Sequence, residues 1–547
     1  MRILTFLAGL LCAGYLYSQE VPQFPSPAYF RQTFSTPIPR VELQPPTRLE
    51  DFAVGDKLEL SLRAYLELVL ANNTDVAIQK VTVEVQRNAI TRAFGRFDPT
   101  LQASFNATRA NSPASDVLAG AATVSQLSQP ANFNYQQTLE SGTTYNVGFN
   151  ASKLSTNSSF ATFNPSLTTR LTFGFAQPLL RNRGTYITRL PVLIARSRLR
   201  ASEYGMRDQL LRLLTTAESA YWDVVEAREN LKVQEQALAL RGVALKRAQD
   251  ELRLGALPPL DIFQPQADYA AAEIQVSQAR FRLAQTEDAL RKQIGADLDP
   301  HVRNVPLELT ETVLPPADTV SFDREAIVEK ALQMRPDLRS VLQNLETDDL
   351  SIRSATNNLR PDLSLTGSYA SAGRGGNFFQ RPISLGDTTT AATMIPGGFG
   401  DALDQLFGFN FPTYAFGLTL RLPLRDRAAA ADFADAVVQK RLNSLRARTA
   451  EQSIRLEVLN AISQVESSKD AVRLAVVARD LAQKNYEAEQ KKYDLGTTVL
   501  FFVLDAQNRL TVAESRLLTE SINYRRNLLN LLRVNGSLLE ERGVRIQ

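Results

Sequence analysis

Shifted by 241 positions, the chain falls on itself without a gap: Gly255 lands on Gly496, Gln266 on Gln507 and Gly295 on Gly536. Upstream, a shift of 262 does the same, placing Ala64 on Ala326, Glu67 on Glu329, Asp75 on Asp337, Ile90 on Ile352 and Pro99 on Pro361. The difference between the two shifts puts 21 extra residues in the middle of the first copy. A long unit present twice argues for one pseudo-symmetric fold rather than a solenoid of short repeats. Each copy reads as helix, variable middle and long helix pair. The first spans 58–295 and the second 321–536, with a linker at 296–320 and a tail at 537–547.

The middles are β. In the run Leu101 to Thr108 every odd position is apolar and every even one polar. Tyr145, Val147, Phe149 and Ala151 alternate with Asn146, Gly148, Asn150 and Ser152. Leu167, Leu171, Phe173 and Phe175 share a face that Thr169 interrupts. The second copy repeats the pattern at Leu363, Leu365 and Tyr369, and again at Tyr414, Phe416, Leu418, Leu420 and Leu422. Period-two patterning gives one apolar and one polar face, which serves a soluble sandwich or a barrel in lipid. Core strands are expected at 100–109, 166–177, 362–371 and 413–423, and an extra hairpin at 131–153 in the 21-residue surplus. Four to six strands are too few to close a membrane barrel alone, so either several chains share one barrel or there is none. The Gly- and Thr-rich region 373–400 interrupts the second strand pair and reads as a loop.

The helices are long. From Ala428 to Leu495 there are 68 residues without a Gly or Pro, roughly 100 Å if unbroken. Helix pairs are expected at 186–295 and 428–536. Val503, Leu510, Leu517, Tyr524 and Leu531 recur by sevens, and 241 residues earlier stand Ile262, Tyr269, Val276, Leu283 and Leu290. A seven-residue apolar repeat imposes supercoiling, so these helices pack lengthwise as coiled coil. Ala506, Ala513, Ala272 and Ala279 beside the seam let neighbours approach closely.

Arg2 followed by the apolar run Ile3 to Tyr17 has the length of a signal peptide, assigned to 1–18, and not of a membrane span. Cys12, the only cysteine, would be the acylated residue of a lipoprotein, but Leu11 stands where that processing wants a small residue. A Pro-rich extension at 19–57 cannot be helical. With no long apolar run elsewhere, an exported chain of this kind enters a membrane only as a barrel. Lys plus Arg is 61 against 58 Asp plus Glu, which argues against nucleic acid as a partner. One Cys and one His, His301, exclude disulfide frameworks, Cys/His zinc sites and nearly all nucleophilic triads. The acids are scattered along helices rather than paired for hydrolysis. The chain therefore reads as no enzyme, with no cofactor and no metal, and His301 as a turn residue in the linker.

Two motifs carry a resemblance. Tyr493-Asp494-Leu495-Gly496-Thr497-Thr498 is followed by Val503-Leu504-Asp505-Ala506-Gln507, and Leu254-Gly255 by Leu260-Asp261-Ile262 and Gln266. Each sits at the turn between two long helices. With the duplication and the strand–strand–long-helix order, the chain over 58–536 resembles the TolC-like outer-membrane efflux channels. The resemblance implies an α+β membrane protein: a homotrimer in which each chain lends four strands to a shared twelve-stranded β-barrel in outer-membrane lipid. Below it, a long α-helical coiled-coil barrel crosses the periplasm. It implies the exit duct of a tripartite efflux pump or type I secretion system, opened when a periplasmic adaptor tied to an inner-membrane pump docks on the helix tips. Drugs, metal ions or whole proteins are the cargo of such channels. A lining poor in Met and His disfavours a dedicated copper path.

The resemblance also assigns roles. Asp505 matches an acidic ring at the periplasmic gate, while a second acidic position is Phe502 here. Phe501 or Phe502 would supply a hydrophobic ring beside it. Tyr493 and Asp261 match a pair that links neighbouring hairpins in the closed state, and an Arg assisting them in one branch is Thr498 here. The tips at Gly255 and Gly496 are the expected adaptor-docking surface. The rival reading is an exported coiled-coil adaptor that conducts nothing. It predicts no lipid-facing strands.

Overall fold

The computed structural model describes residues 46–54, 56–114, 119–159, 161–255, 258–312, 322–380 and 393–543. The signal segment with Cys12, most of the Pro-rich extension, the end of the linker and the last residues of the tail lie outside the described residues. The main elements in chain order are β1 (Ala53–Val54), β2 (Lys57–Leu60), α1 (Leu62–Asn72), α2 (Thr74–Phe94), β3 (Thr100–Phe105), β4 (Thr108–Pro113), β5 (Thr123–Thr138), β6 (Thr144–Thr156), β7 (Ser166–Pro178), α3 (Leu190–Arg253) and α4 (Phe263–Gln293). There follow β8 (Leu307–Leu309), α5 (Arg324–Met334), α6 (Pro336–Asn358), β9 (Asp362–Gly375), β10 (Phe378–Gln380), β11 (Thr393–Ile395), α7 (Phe399–Phe407), β12 (Pro412–Arg421), α8 (Arg427–Asp494) and α9 (Leu500–Val534). Among the described residues no helix is long and apolar enough to cross a membrane. Two compact units divide the chain, one formed by Gln86–Arg200 with Gln343–Leu445, the other by the segments before, between and after these.

The first unit carries an antiparallel sheet of seven strands in the order β12-β9-β7-β6-β5-β3, with β4 also on β5. The four expected core strands are β3, β7, β9 and β12, and the extra hairpin expected at 131–153 is β5 with β6. The hairpin of β5 and β6 lies inside the sheet, between β3 and β7, because its outer strands find partners on both sides. Pro130 sits within β5, where a proline would leave a gap in the ladder. The gap is absorbed opposite it: the neighbouring strand breaks into β3 and β4 there, and Asn106 N–H donates to the Pro130 carbonyl at 3.0 Å.

Thr169 interrupts the apolar face for a reason the structure supplies. The amphipathic α7 packs there through Ala402 and Leu406, both fully buried. Thr169 Oγ1 donates to the Ala402 carbonyl at 2.9 Å and Ser371 Oγ to that of Leu406 at 2.8 Å. A Cβ on Gly373 would lie 1.8 Å from the Ala402 carbonyl oxygen, so only glycine admits the helix. Within region 373–400, β9 runs to Gly375, β10 and β11 follow and α7 begins at its end, while 381–392 lie outside the described residues.

In the second, helical unit, α1 starts at Ser61, whose Oγ accepts from Ala64 N–H at 3.2 Å. The matching α5 starts at Asp323, whose carboxylate accepts from Glu325 and Ala326. Such caps satisfy amides that a helix start leaves free. Two apolar cores follow. Ala217, Tyr221 and Val224 of α3 lie in one, and Val458, Ile462 and Val465 of α8, each 241 residues on, lie in the other. None of the six keeps any exposure. Helix α9 serves both, through Leu518, Ile522 and Leu529 on one side and Tyr524, Leu531 and Val534 on the other. Of the positions recurring by sevens, Leu517, Tyr269 and Leu283 are half-buried and the rest buried. A small sheet pairs β2 with β1 antiparallel and with β8 parallel.

In the same unit an ion pair buries its carboxylate. Arg542 Nε donates to Glu218 Oε2 at 3.0 Å, and Glu218 is 1% exposed. Burial raises the Glu218 pKa and Arg542 opposes the shift. Arg542→Ala leaves a buried carboxylate unpaired, a loss of about 3–5 kcal/mol. With a raised folded-state pKa, the glutamate is tolerated when protonated and the penalty returns as pH rises through that pKa. Thermal unfolding of detergent-solubilised protein should show a drop in Tm at pH 7.5 that shrinks at pH 5. An equal drop at both would show that Arg542 acts by packing alone.

Candidate functional site

Each long helix pair turns at a left-handed glycine, Gly255 with φ 76° and Gly496 with φ 73°. At the second tip Gly496 N–H reaches the Tyr493 carbonyl at 2.9 Å and Thr497 N–H that of Lys492 at 2.9 Å, a glycine stop to the helix. A Cβ at either glycine would meet nothing within 4 Å. The tips are ringed by apolar side chains standing in water. Leu254 is 78% and its counterpart Leu495 79% exposed, while Leu260 is 78% and its counterpart Phe501 60% exposed. Large apolar side chains grouped this way mark an interaction surface.

Behind the second tip lies a polar cluster. Arg247 of α3 bridges Asp494 at 2.7 Å and Glu251 at 3.1 Å, and its guanidinium lies 4.4 Å from the centre of the Tyr493 ring. Tyr493 donates its hydroxyl to Glu251 at 2.7 Å. The hydrogen bond from Arg247 holds the Asp494 pKa below its usual value. Partial burial and Glu251 push Tyr493 up to about 12. The cluster is therefore intact across neutral pH. The Arg247–Asp494 bridge weakens in acid as Asp494 protonates, and the Tyr493–Glu251 hydrogen bond is lost in strong alkali as Tyr493 ionises.

Of the residues expected at the gate, Tyr493 and Asp505 each have a side-chain partner while Asp261, Phe501 and Phe502 are exposed. Asp505 pairs with Arg509 one turn on, at 2.9 Å. It lines a cavity of about 570 Å³ together with Phe501, Arg241, Asp268 and Asn508. Phe501 and Asp505, four residues apart, thus share one side of α9, and Phe502 stacks edge-on against Phe501 with ring centres 5.6 Å apart. Asp261 is not joined to Tyr493 among the described residues. Arg247 and Glu251 went unnoticed in the sequence. Their spacing of four on a helix was the available signal, but nothing local points to a tyrosine 242 residues away. His301 is exposed in a turn, its N–H donating to Asp299 at 2.9 Å. No cluster of metal-binding side chains occurs among the described residues.

The chain is similar to the TolC-like outer membrane efflux proteins. Its residues 327–537 match the family model described as outer membrane efflux protein. Outer membrane protein TolC of Vibrio cholerae is 23% identical over 348 residues, covering 62% of this chain and 70% of that protein. TolC of Escherichia coli is 26% identical over 344 residues, covering 61% and 63%. Among solved structures, the Campylobacter jejuni CmeC outer membrane channel superposes with TM-score 0.59 at 16% identity, covering 92% of this chain and 94% of that one. A membrane protein from Pseudomonas aeruginosa gives TM-score 0.61 at 17% identity, covering 87% and 90%. The family is one of efflux channels rather than enzymes. Its place is the outer membrane, with the helical part in the periplasm.

Proposed function

We propose that three copies of this chain share one barrel and form the exit duct of a tripartite efflux pump or a type I secretion system. In this reading 58–295 and 321–536 are the two structural repeats, and the helix tips close the duct at rest. A periplasmic adaptor tied to an inner-membrane pump docks on the apolar collars around Gly255 and Gly496. The observation that carries it is the sheet: a two-faced sheet with unpaired edges cannot stand alone in lipid, where every backbone group needs a partner, and other copies supply the missing strands. Asp505 with Phe501 or Phe502 forms the gate. Tyr493, with Arg247 taking the part of the absent arginine at Thr498, holds the closed state, and Asp261 faces the neighbouring hairpin.

Planar-bilayer recording of solubilised protein tests this. The wild type should insert as an oligomer with low resting conductance, and Arg247→Ala should raise that conductance roughly tenfold by shifting the closed–open balance. Acidification of the wild type should act in the same direction, because Asp494 then loses its charge. A stable monomer without conductance would sink the channel reading. Unchanged conductance in Arg247→Ala would remove only the lock.

A further inference from the structure

We infer that the β5–β6 hairpin is part of the transmembrane wall, so that each copy contributes six strands and the barrel holds about eighteen rather than twelve. The inference rests on the channel reading above and specifies its outer part.

Pairing is the first ground. The hairpin is paired throughout, from Gln126 with Thr156 to Thr138 with Thr144, and β6 continues onto β7 from Thr144 with Ala176 to Leu154 with Ser166. Strand β3 pairs with β5 and not with β7. Without the hairpin, β3 loses its partner.

Face register is the second. One row crosses all six strands as Leu101, Tyr135, Val147, Phe173, Tyr369 and Tyr414. The row beside it runs Gln102, Asn134, Gly148, Thr172, Ala370 and Thr413 on the opposite face. A hairpin standing in water above the membrane has no need to carry Phe133 opposite Phe149 on one face and Asn132 opposite Asn150 on the other, in step with its neighbours. A one-residue slip would put the two faces out of step. The hairpin thus presents the apolar side to lipid and an uncharged Asn- and Gln-rich side to the lumen.

The free edges are the third. Strand β12 is exposed almost throughout, with Tyr414, Phe416, Leu418 and Leu420 all uncovered, and β3 is exposed along its whole length. The inner strand β6 is largely half-buried. In lipid an unpaired edge is untenable, and the occupant is a second copy laying its β3 beside β12. Head-to-tail contact of this kind closes into a ring. A wall of about eighteen strands encloses a water-filled channel. With an uncharged lining along the hairpin, the outer mouth admits solutes of either charge and leaves selection to the helical end.

Single-cysteine labelling tests the inference, in a background where Cys12, the only native cysteine, is replaced by serine. A membrane-impermeant sulfonated maleimide should modify Asn134→Cys at least tenfold faster than Phe133→Cys. A lipid-soluble pyrene maleimide should reverse the order. If Phe133→Cys fails to assemble, Asn150→Cys and Ala151→Cys on β6 give the same comparison. Equal, fast reaction of both faces with the impermeant reagent would overturn the inference by placing the hairpin in water. In parallel, Gln102→Cys with Thr413→Cys, at the two ends of one polar row, should give cross-linked oligomers with a short bis-maleimide. Oligomers together with equal labelling mean the shared barrel stands and the eighteen-strand wall falls. No oligomers means the shared barrel itself falls, and the inference with it.

Discussion

Gly496→Trp is expected to reduce export to the level of a strain lacking the protein while trimers remain in the outer membrane. The backbone there has φ 73°, so any L residue is strained, at a cost of about 1–2 kcal/mol. That loss is confined to a helix stop far along the chain from both apolar cores and is too small to unfold the helical unit. The Cβ of a new side chain would meet nothing within 4 Å. The fold therefore accepts the residue, and what it obstructs is whatever must lie against the tip. Gly496→Ala separates the two effects, since it carries the same strain with almost no bulk and should keep most export. Export assays beside trimer mobility in native gels make the comparison. Full export by Gly496→Trp would move the docking surface elsewhere, and equal loss in Gly496→Ala would mean that turn geometry is what export needs.

Asp505→Asn is expected to weaken both cation selectivity and block by divalent or polyvalent cations in planar bilayers, by roughly tenfold in the blocking concentration. Three copies would bring three carboxylates to one mouth, where a ring of like charge draws counter-ions in. Within one chain Arg509 partly answers Asp505 at 2.9 Å, but that side chain is itself well exposed and its pairing correspondingly weak. Arg509→Ala should therefore act oppositely and strengthen block. Phe501→Ala should raise resting conductance more than Phe502→Ala, because Phe501 lies on the same side of α9 as Asp505. If Asp505→Asn changes neither selectivity nor block, Asp505 is a solvated helix residue and the constriction lies elsewhere.

Much of this was legible in the residues, and the exceptions have physical causes. Alternation from Leu101 to Phe105 and from Tyr145 to Ala151 was readable because strand side chains take opposite faces by turns. The first half of β5 was not, since Gln126, Ser128, Gln129 and Pro130 carry no apolar beat. Its neighbours, not its own pattern, make it a strand. Thr169 looked like a flaw in a strand and proved to be the seat of α7, a short helix that follows a Gly- and Thr-rich stretch. The seams of the long helices were plain from the sevenfold spacing. The Arg247 cluster was not, because its members come from two helices far apart in the sequence and have no twin in the other copy. Leu252 stands where the repeat would place a second Tyr493.

The pairing of the large sheet also limits how such proteins diversify. Every neighbour in it is antiparallel, so its two outer strands, β3 and β12, point in opposite directions. Copies set side by side then continue the alternation however many there are. One added strand would turn an edge around, and each junction between copies would become parallel. Widening by whole hairpins is the increment that preserves polarity at the seams. The girth of the pore and the number of copies can then change independently in evolution, the first by inserting pairs of strands and the second through contacts made elsewhere in the chain.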